Sequence, residues 1–407
     1  MKFHEKKRGG TDILVTLVGP FISTLTIVGK DMKVTTSSKD KVLFTPGPLT
    51  TSFTVKQAML TDLGSRDISF IEIVRQIRQK LLAIGSCSSD VYTAVPMQGS
   101  GTFGIEAVVS STIPSDGRFL VIANGAYGER IAKIANVLNI NCHVLRGPEE
   151  KTPDLGEINK VLETNLGFTH VAVVHCETTT GIINPIQEIG EIVNDFNCKF
   201  FVDAMSSFGA VPMDLYDHHI DYLVSSSNKC LEGVPGFSFV IAKIDALEKT
   251  QRYARSLSLD LFSQWQGLER NGQFRFTPPT HALVSFHQAL TELEAEGGVA
   301  RRAMRYRQNH EILVEGMKDI GFELYLQPTN RSYIITSFVS PNHPNFDFCG
   351  FYQHLSNRGY LIYPGKVSNA DCFRIGSIGY IFESDIHALL SAIQDTLIEM
   401  QVDLSGI

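Results

Sequence analysis

From Val42 onward the chain alternates short, uninterrupted apolar runs with longer amphipathic stretches, a pattern that few architectures accommodate. The runs Arg118-Phe119-Leu120-Val121-Ile122-Ala123, Val171-Ala172-Val173-Val174, Lys199-Phe200-Phe201-Val202, Tyr222-Leu223-Val224-Ser225 and Phe237-Ser238-Phe239-Val240-Ile241-Ala242 lack the alternation of a half-exposed strand. They read as strands covered on both faces. Between them, residues 127–138, 155–166 and 186–195 space their apolar residues as helices do. A helix that carries the chain back over a sheet lets the next strand pair in parallel, so a mostly parallel central sheet flanked by helices is expected. After a helical stretch at 282–297 come a long polar helix at 300–320 and strands near 334–338 and 361–363. This predicts an α/β chain in three parts: an extension at 1–40, a large domain at 41–290 and a smaller C-terminal α+β domain at 291–407.

With 407 residues, 43% of them hydrophobic, such a chain can fill sizeable cores. Its formal net charge of -7 argues against the broad basic face that nucleic acid requires, while leaving room for a local anion site. The seven cysteines, at 87, 142, 176, 198, 230, 349 and 372, are scattered and lack paired metal-ligand spacing, so free thiols in a reducing compartment are expected. Residues 2–8 are basic and 13–29 mostly apolar, the layout of a targeting segment or weak anchor. That run is short for a membrane span, is broken by Gly19 and Pro20, and precedes no small-residue cleavage site. The expectation is a cytoplasmic protein without a membrane partner, with targeting as the alternative.

One lysine stands in unusual company, Ser225-Ser226-Ser227-Asn228-Lys229-Cys230-Leu231-Glu232-Gly233-Val234-Pro235-Gly236, between two apolar runs. Most lysines are solvated surface groups, but a strand, small hydroxylic residues and a Gly-Pro-Gly turn would hold this amine at a fixed point near the sheet edge. Upstream, Phe200-Phe201-Val202-Asp203 ends a strand in a carboxylate. An amine for a Schiff base and an acid for a ring nitrogen are what pyridoxal phosphate needs. The turn Gln98-Gly99-Ser100-Gly101-Thr102-Phe103-Gly104 opens a helix with glycines and hydroxyls, which suits either a phosphate cradle or a plain helix cap. Tyr127, in Asn124-Gly125-Ala126-Tyr127-Gly128, could lie against a flat cofactor or pack in the core. His175-Cys176-Glu177-Thr178-Thr179-Thr180-Gly181 follows a strand, at the end of the sheet where such folds bind ligands. A zinc site there is disfavoured because adjacent strand residues point to opposite faces. Thr178 is the expected partner of a cofactor's phenolic oxygen.

Together these segments, with Leu43-Phe44-Thr45-Pro46-Gly47-Pro48-Leu49-Thr50-Thr51-Ser52, Phe276-Thr277-Pro278-Pro279-Thr280-His281 and Phe373-Arg374-Ile375-Gly376, closely resemble the class V aminotransferases of fold type I. The resemblance runs from about residue 42 to 400 and implies pyridoxal 5'-phosphate as cofactor. It implies that Lys229 bonds the cofactor aldehyde and Asp203 its pyridinium nitrogen, and that Ser100, Gly101 and Thr102 hold its phosphate. Tyr127 would stack on its ring, and Thr178 would bond the cofactor. Arg374 matches the carboxylate clamp, and Thr277 lies on a segment that reaches the phosphate in a neighbouring subunit, so a homodimer with shared sites is implied. The partners are then an amino donor and a 2-oxo acid. Within the family the likeness is to members using an aminoalkylphosphonate, which implies 2-aminoethylphosphonate as donor and pyruvate as acceptor, with Arg374 and backbone near Gly47 receiving the anion. Serine or alanine with glyoxylate is the alternative pair, and a silent scaffold a third reading. Where many phosphonate-using members carry Cys-Thr-Trp-Asp, this chain reads Leu63-Gly64-Ser65-Arg66-Asp67, so Arg66 is either a second anion contact or an ion-pair partner.

Overall fold

The computed structural model describes residues 5–7, 13–17, 23–28, 31–35, 40–164, 167–365 and 370–404. The strands Glu5–Lys7, Ile13–Leu17, Ser23–Val28 and Asp31–Thr35 pair antiparallel in that order as a four-stranded sheet, in a unit separate from the rest of the chain. The apolar run of the expected targeting segment therefore has strand backbone in its described parts. Gly19 and Pro20 lie outside the described residues. No helix among the described residues is long and apolar enough to cross a membrane.

Residues 42–407 form the other unit. Its centre is a seven-stranded sheet in the order Tyr92–Gln98, Phe237–Lys243, Tyr222–Ser226, Lys199–Asp203, His170–Val174, Arg118–Ala123, Asn141–Arg146. The last five of these strands pair in parallel. Phe237–Lys243 runs antiparallel to both neighbours, because only the ten-residue lysine loop separates it from Tyr222–Ser226 and leaves no room for a helical crossover. Five expected strands recur with ends shifted by a residue or so, and helices at Ala126–Val137, Leu155–Thr164 and Ile186–Asp195 return the chain between strands. Two sheet strands went unforeseen. Asn141–Arg146 is an edge strand with several exposed positions, and Tyr92–Gln98 is an edge strand carrying Pro96.

The sheet and its covering helices share one large apolar core that includes Val121, Val173, Val202, Leu223 and Val240. A second core gathers Leu313, Phe338, Phe351, Phe373 and Ile393 around the three-stranded sheet Ile335–Val339, Cys372–Gly376 and Tyr363–Pro364. Phe44 belongs to this second core, and the preceding Val42–Leu43 pairs with Tyr360–Leu361. The segment from Val42 thus runs from the C-terminal core to the lysine.

Candidate active site

Register brings Val174, Asp203 and Ser226 to the carboxyl end of three neighbouring strands. Gln98 ends its strand at the same sheet edge, so the Gly101–Thr112 helix begins there. Between them is a cleft of about 200 Å³ whose lining includes Ser100, Gly101, Thr102, Tyr127, Asp203 and Lys229. Six residues singled out from sequence separations of up to 129 positions therefore share one wall.

The Lys229 amine donates to the carbonyl oxygens of Pro46 at 2.7 Å and Gly47 at 3.3 Å. Burial disfavours its charged form and lowers its pKa to about 8, against the raising influence of Cys230, Asp203 and Cys176. Gly47 has φ +107°, and a Cβ there would lie 2.6 Å from Lys229 Cδ and 2.7 Å from the Asn228 carbonyl oxygen, so glycine is required for the approach. Asp203 is 2% exposed, and its Oδ1 accepts from the Met205 N–H at 2.9 Å. Burial raises its pKa to about 6, with the Met205 hydrogen bond, Lys229 and Arg130 opposing. A cation placed against Asp203 would restore its charge.

Ser100 caps the Gly101–Thr112 helix without a side-chain hydrogen bond to it. The N–H groups of Gly101 and Thr102 precede the first helical hydrogen bonds, which Phe103 and Gly104 make to the Ser100 carbonyl, and Gly101 and Thr102 line the cleft at the positive end of the helix dipole. A Cβ on Gly101 would meet Met205 Sδ at 2.3 Å, so the cradle is already filled to its glycine. An uncapped helix end, a buried acid and a neutralisable amine fit a flat, phosphorylated aldehyde with a basic ring nitrogen.

Arg374 is 1% exposed and is held by carbonyls: Nε and Nη2 donate to Pro364 O at 3.0 and 2.7 Å, and Nη1 to Thr178 O at 2.5 Å. It stands over the Tyr363 ring at 5.3 Å and acts electrostatically on Lys229. Thr178 is buried, and the contact recorded for it is this carbonyl rather than one to the cleft. Arg66 and Thr277 line a different cleft of about 320 Å³ together with Arg275 and Phe276. The structure thus separates the sequence-derived site residues into a lysine cleft, an arginine behind it and a second cleft.

Two residues to which the sequence reading gave no site role stand out. Glu177 is fully buried, and its carboxylate accepts from the N–H groups of Tyr127 at 3.0 Å and Gly128 at 3.4 Å and from Thr179 Oγ1 at 2.8 Å. It caps the Ala126–Val137 helix from 50 positions away, and burial raises its pKa to about 7. Arg130 lines the cleft and stands 4.7 Å over the Tyr127 ring. The three-residue helical spacing of Tyr127 and Arg130 was a signal available in sequence. No local signal marks Glu177.

The Aminotransferase class-V family model matches residues 49–355. A 2-aminoethylphosphonate–pyruvate transaminase of Vibrio cholerae serotype O1 is 52% identical over 358 residues, 88% of this chain and 97% of the relative. One from Syntrophobacter fumaroxidans is 50% identical over 88% of this chain and 96% of the relative. Among solved structures, ureidoglycine–glyoxylate aminotransferase of Bacillus subtilis superposes with TM-score 0.83 at 23% identity, covering 91% of this chain and 96% of that one. Alanine–glyoxylate aminotransferase of Nostoc sp. gives 0.81 at 26% identity, covering 90% and 97%. With a matching family model over most of its length and relatives half identical to it, the chain belongs to the class V aminotransferases, and its architecture is that of fold type I.

Proposed function

We propose that this aminotransferase uses pyridoxal 5'-phosphate to move the amino group of 2-aminoethylphosphonate to pyruvate, releasing phosphonoacetaldehyde and alanine. The observation that carries the chemistry is the joint presence of Lys229, Asp203 and the uncapped Gly101–Thr112 helix in one cleft. The half-identical relatives support the choice of substrates.

When bound, the cofactor supplies an aldehyde that captures the amino group and a ring that takes up the electron pair of the neighbouring carbon. Ser100, Gly101 and Thr102 would hold its phosphate, and Tyr127 would flank its ring. Asp203 would face the ring nitrogen and keep it protonated, since an opposite charge nearby favours the charged form. The hydroxyl of Thr178 is assigned to the phenolic oxygen. Lys229, whose amine lies in the same cleft, would act as the general base and acid for the proton on the carbon bearing the donor amine. Its low pKa leaves a useful fraction of the amine neutral near pH 7.

Arg374 receives the substrate anion. Three of its five N–H donors are committed to Pro364 and Thr178, which leaves one on each Nη for the oxygens of a carboxylate or phosphonate. Backbone near Gly47 closes the other side. Thr277 is assigned to the cofactor phosphate of a second copy in a homodimer. Because Arg66 shares its cleft, the same docking would carry Arg66 to the neighbour's substrate, as a second anion contact. The two apolar cores support a large part at 41–290 and a smaller one at 291–407, with Val42–Phe44 packing on the latter.

The test is a half-reaction: holoenzyme is mixed with 2-aminoethylphosphonate, and separately with alanine or serine, without oxo acid. Loss of the cofactor absorbance band with the phosphonate, restored by pyruvate, is expected. Bleaching by alanine or serine alone would move the donor to the glyoxylate-type pair, and a band unmoved by any amine would end the transaminase reading.

A further inference from the structure

Behind the cleft, the lysine loop and the Arg374 segment converge on one side chain from the Gly298–Ile320 helix. Arg305 uses all five of its N–H donors. Nη2 reaches Glu232 at 2.7 Å and Glu296 at 3.2 Å, Nε reaches Glu296 at 2.8 Å, and Nη1 reaches the carbonyl oxygens of Gly379 at 2.7 Å and Ile381 at 3.1 Å. Glu232 lies three residues beyond Lys229, and its N–H donates to the Lys229 carbonyl at 2.8 Å. Gly379 lies five residues beyond Arg374, and the next residue, Tyr380, donates its N–H to Thr50 O at 2.7 Å, on the segment whose carbonyls receive the lysine amine. Tyr306 closes the same node, donating to Glu232 at 2.5 Å and accepting from the Gly379 N–H at 3.2 Å.

Glu232 is 3% exposed and has φ +58°, a conformation that costs a non-glycine residue and persists only where surroundings over-determine it. Here two arginines and a tyrosine do so, Arg302 approaching Glu232 at 3.5 Å while its Nη1 donates to the Cys230 carbonyl at 2.8 Å. A surface ion pair would need neither burial nor this number of partners.

We infer that Arg305 is a positioning residue that fixes the spacing between the Lys229 amine and the Arg374 guanidinium, and through it the length of substrate accepted; this rests on the transaminase reading above. A substrate is gripped by its anion at Arg374 and reacts near Lys229, so the span between the two sets how many bonds separate anion and reacting carbon. In 2-aminoethylphosphonate that separation is one methylene. Lysine at position 305 keeps the charge but has one nitrogen with three donors, which cannot reach Glu232 and both carbonyls together.

The experiment measures kcat/KM for 2-aminoethylphosphonate and for 3-aminopropylphosphonate in wild-type holoenzyme and in Arg305→Lys, Glu232→Gln and Tyr306→Phe. Their ratio does not depend on the fraction of active protein, so lost stability alone leaves it unchanged. The ratio is expected to fall about tenfold or more in Arg305→Lys and Glu232→Gln, since misplacement by about an ångström costs catalysis heavily. A ratio within about twofold of wild type in any of these two that folds and binds cofactor overturns the inference. Should neither fold, Tyr306→Phe decides by the same criterion. If wild-type enzyme turns over neither phosphonate, the donor assignment fails separately, and the comparison is made with L-alanine and β-alanine, whose carboxylates stand directly on the reacting carbon and one methylene away from it. Inactivity with all four amines overturns both.

Discussion

The Lys229 amine loses its proton more readily than a solvated lysine because of where it is buried. Carbonyl oxygens at Pro46 and Gly47 hold it while the surrounding protein penalises its charge, so its pKa falls to about 8. The sign has a direct consequence. Only the neutral amine attacks an aldehyde, so the rate at which cofactor-free protein captures pyridoxal phosphate should rise as pH increases through about 8 and level off above it. Stopped-flow absorbance across that range checks this, and a flat profile would show that burial does not control the amine. Lys229→Ala should retain the fold and lose transamination by at least about a thousandfold, with added small amines restoring part of it. Asp203→Ala should retain bound cofactor while losing most turnover, and unchanged turnover would remove its assigned electronic role. Both residues were legible in sequence because Asp203 ends a recognisable apolar run and Lys229 lies in the short polar loop between two others. The restraint on Lys229 was not, since it comes from Pro46 and Gly47, more than 180 positions away.

At the scale of elements, the Ala126–Val137 helix illustrates what periodicity reveals and what it hides. Its apolar spacing predicted a helix at 127–138, yet the group that satisfies its first N–H donors is Glu177, on a separate strand-like turn. Gly125 makes room for that contact. Its backbone is extended, which any residue can adopt, but a Cβ would lie 2.3 Å from Glu177 Cγ. Gly125→Ala should therefore destabilise by about 1–3 kcal/mol, by pushing a buried acceptor off its donors rather than by backbone strain. In a Glu177→Ala background the same change should cost much less. Urea midpoints for the four proteins of this cycle measure the coupling, and additive losses would mean that Gly125 acts independently of the cap. The edge strands teach a similar lesson. Pro96 and the polar run from Asn141 hid two strands whose place is set by pairing with Phe237–Lys243 and Arg118–Ala123, not by their own composition.

For the whole molecule, the buried parallel strands were readable because a two-sided sheet demands continuous apolar runs, and this fixed the end of the sheet at which a site could form. The network tying Glu232 to Arg305 was unreadable, because charged residues 73 positions apart give no periodic signal. The second cleft, with Arg66 and Thr277, has the same character: its residues adjoin each other but line no part of the lysine cleft described for a single chain. If Thr277 serves the neighbour's cofactor, two inactive variants should rescue one another. Lys229→Ala removes the amine, and Thr277→Asp would place a negative charge against the phosphate. In a shared-site dimer a mixed pair concentrates both lesions in one site and leaves the other intact, so equal mixing and reassembly should recover about a quarter of wild-type activity per site. Sites built within one chain predict no recovery, because every site in a mixed dimer would then carry one lesion. Activity measured after denaturant-driven subunit exchange distinguishes the two, and absence of recovery in demonstrably mixed dimers would return Arg66 and Thr277 to the surface of a self-contained subunit.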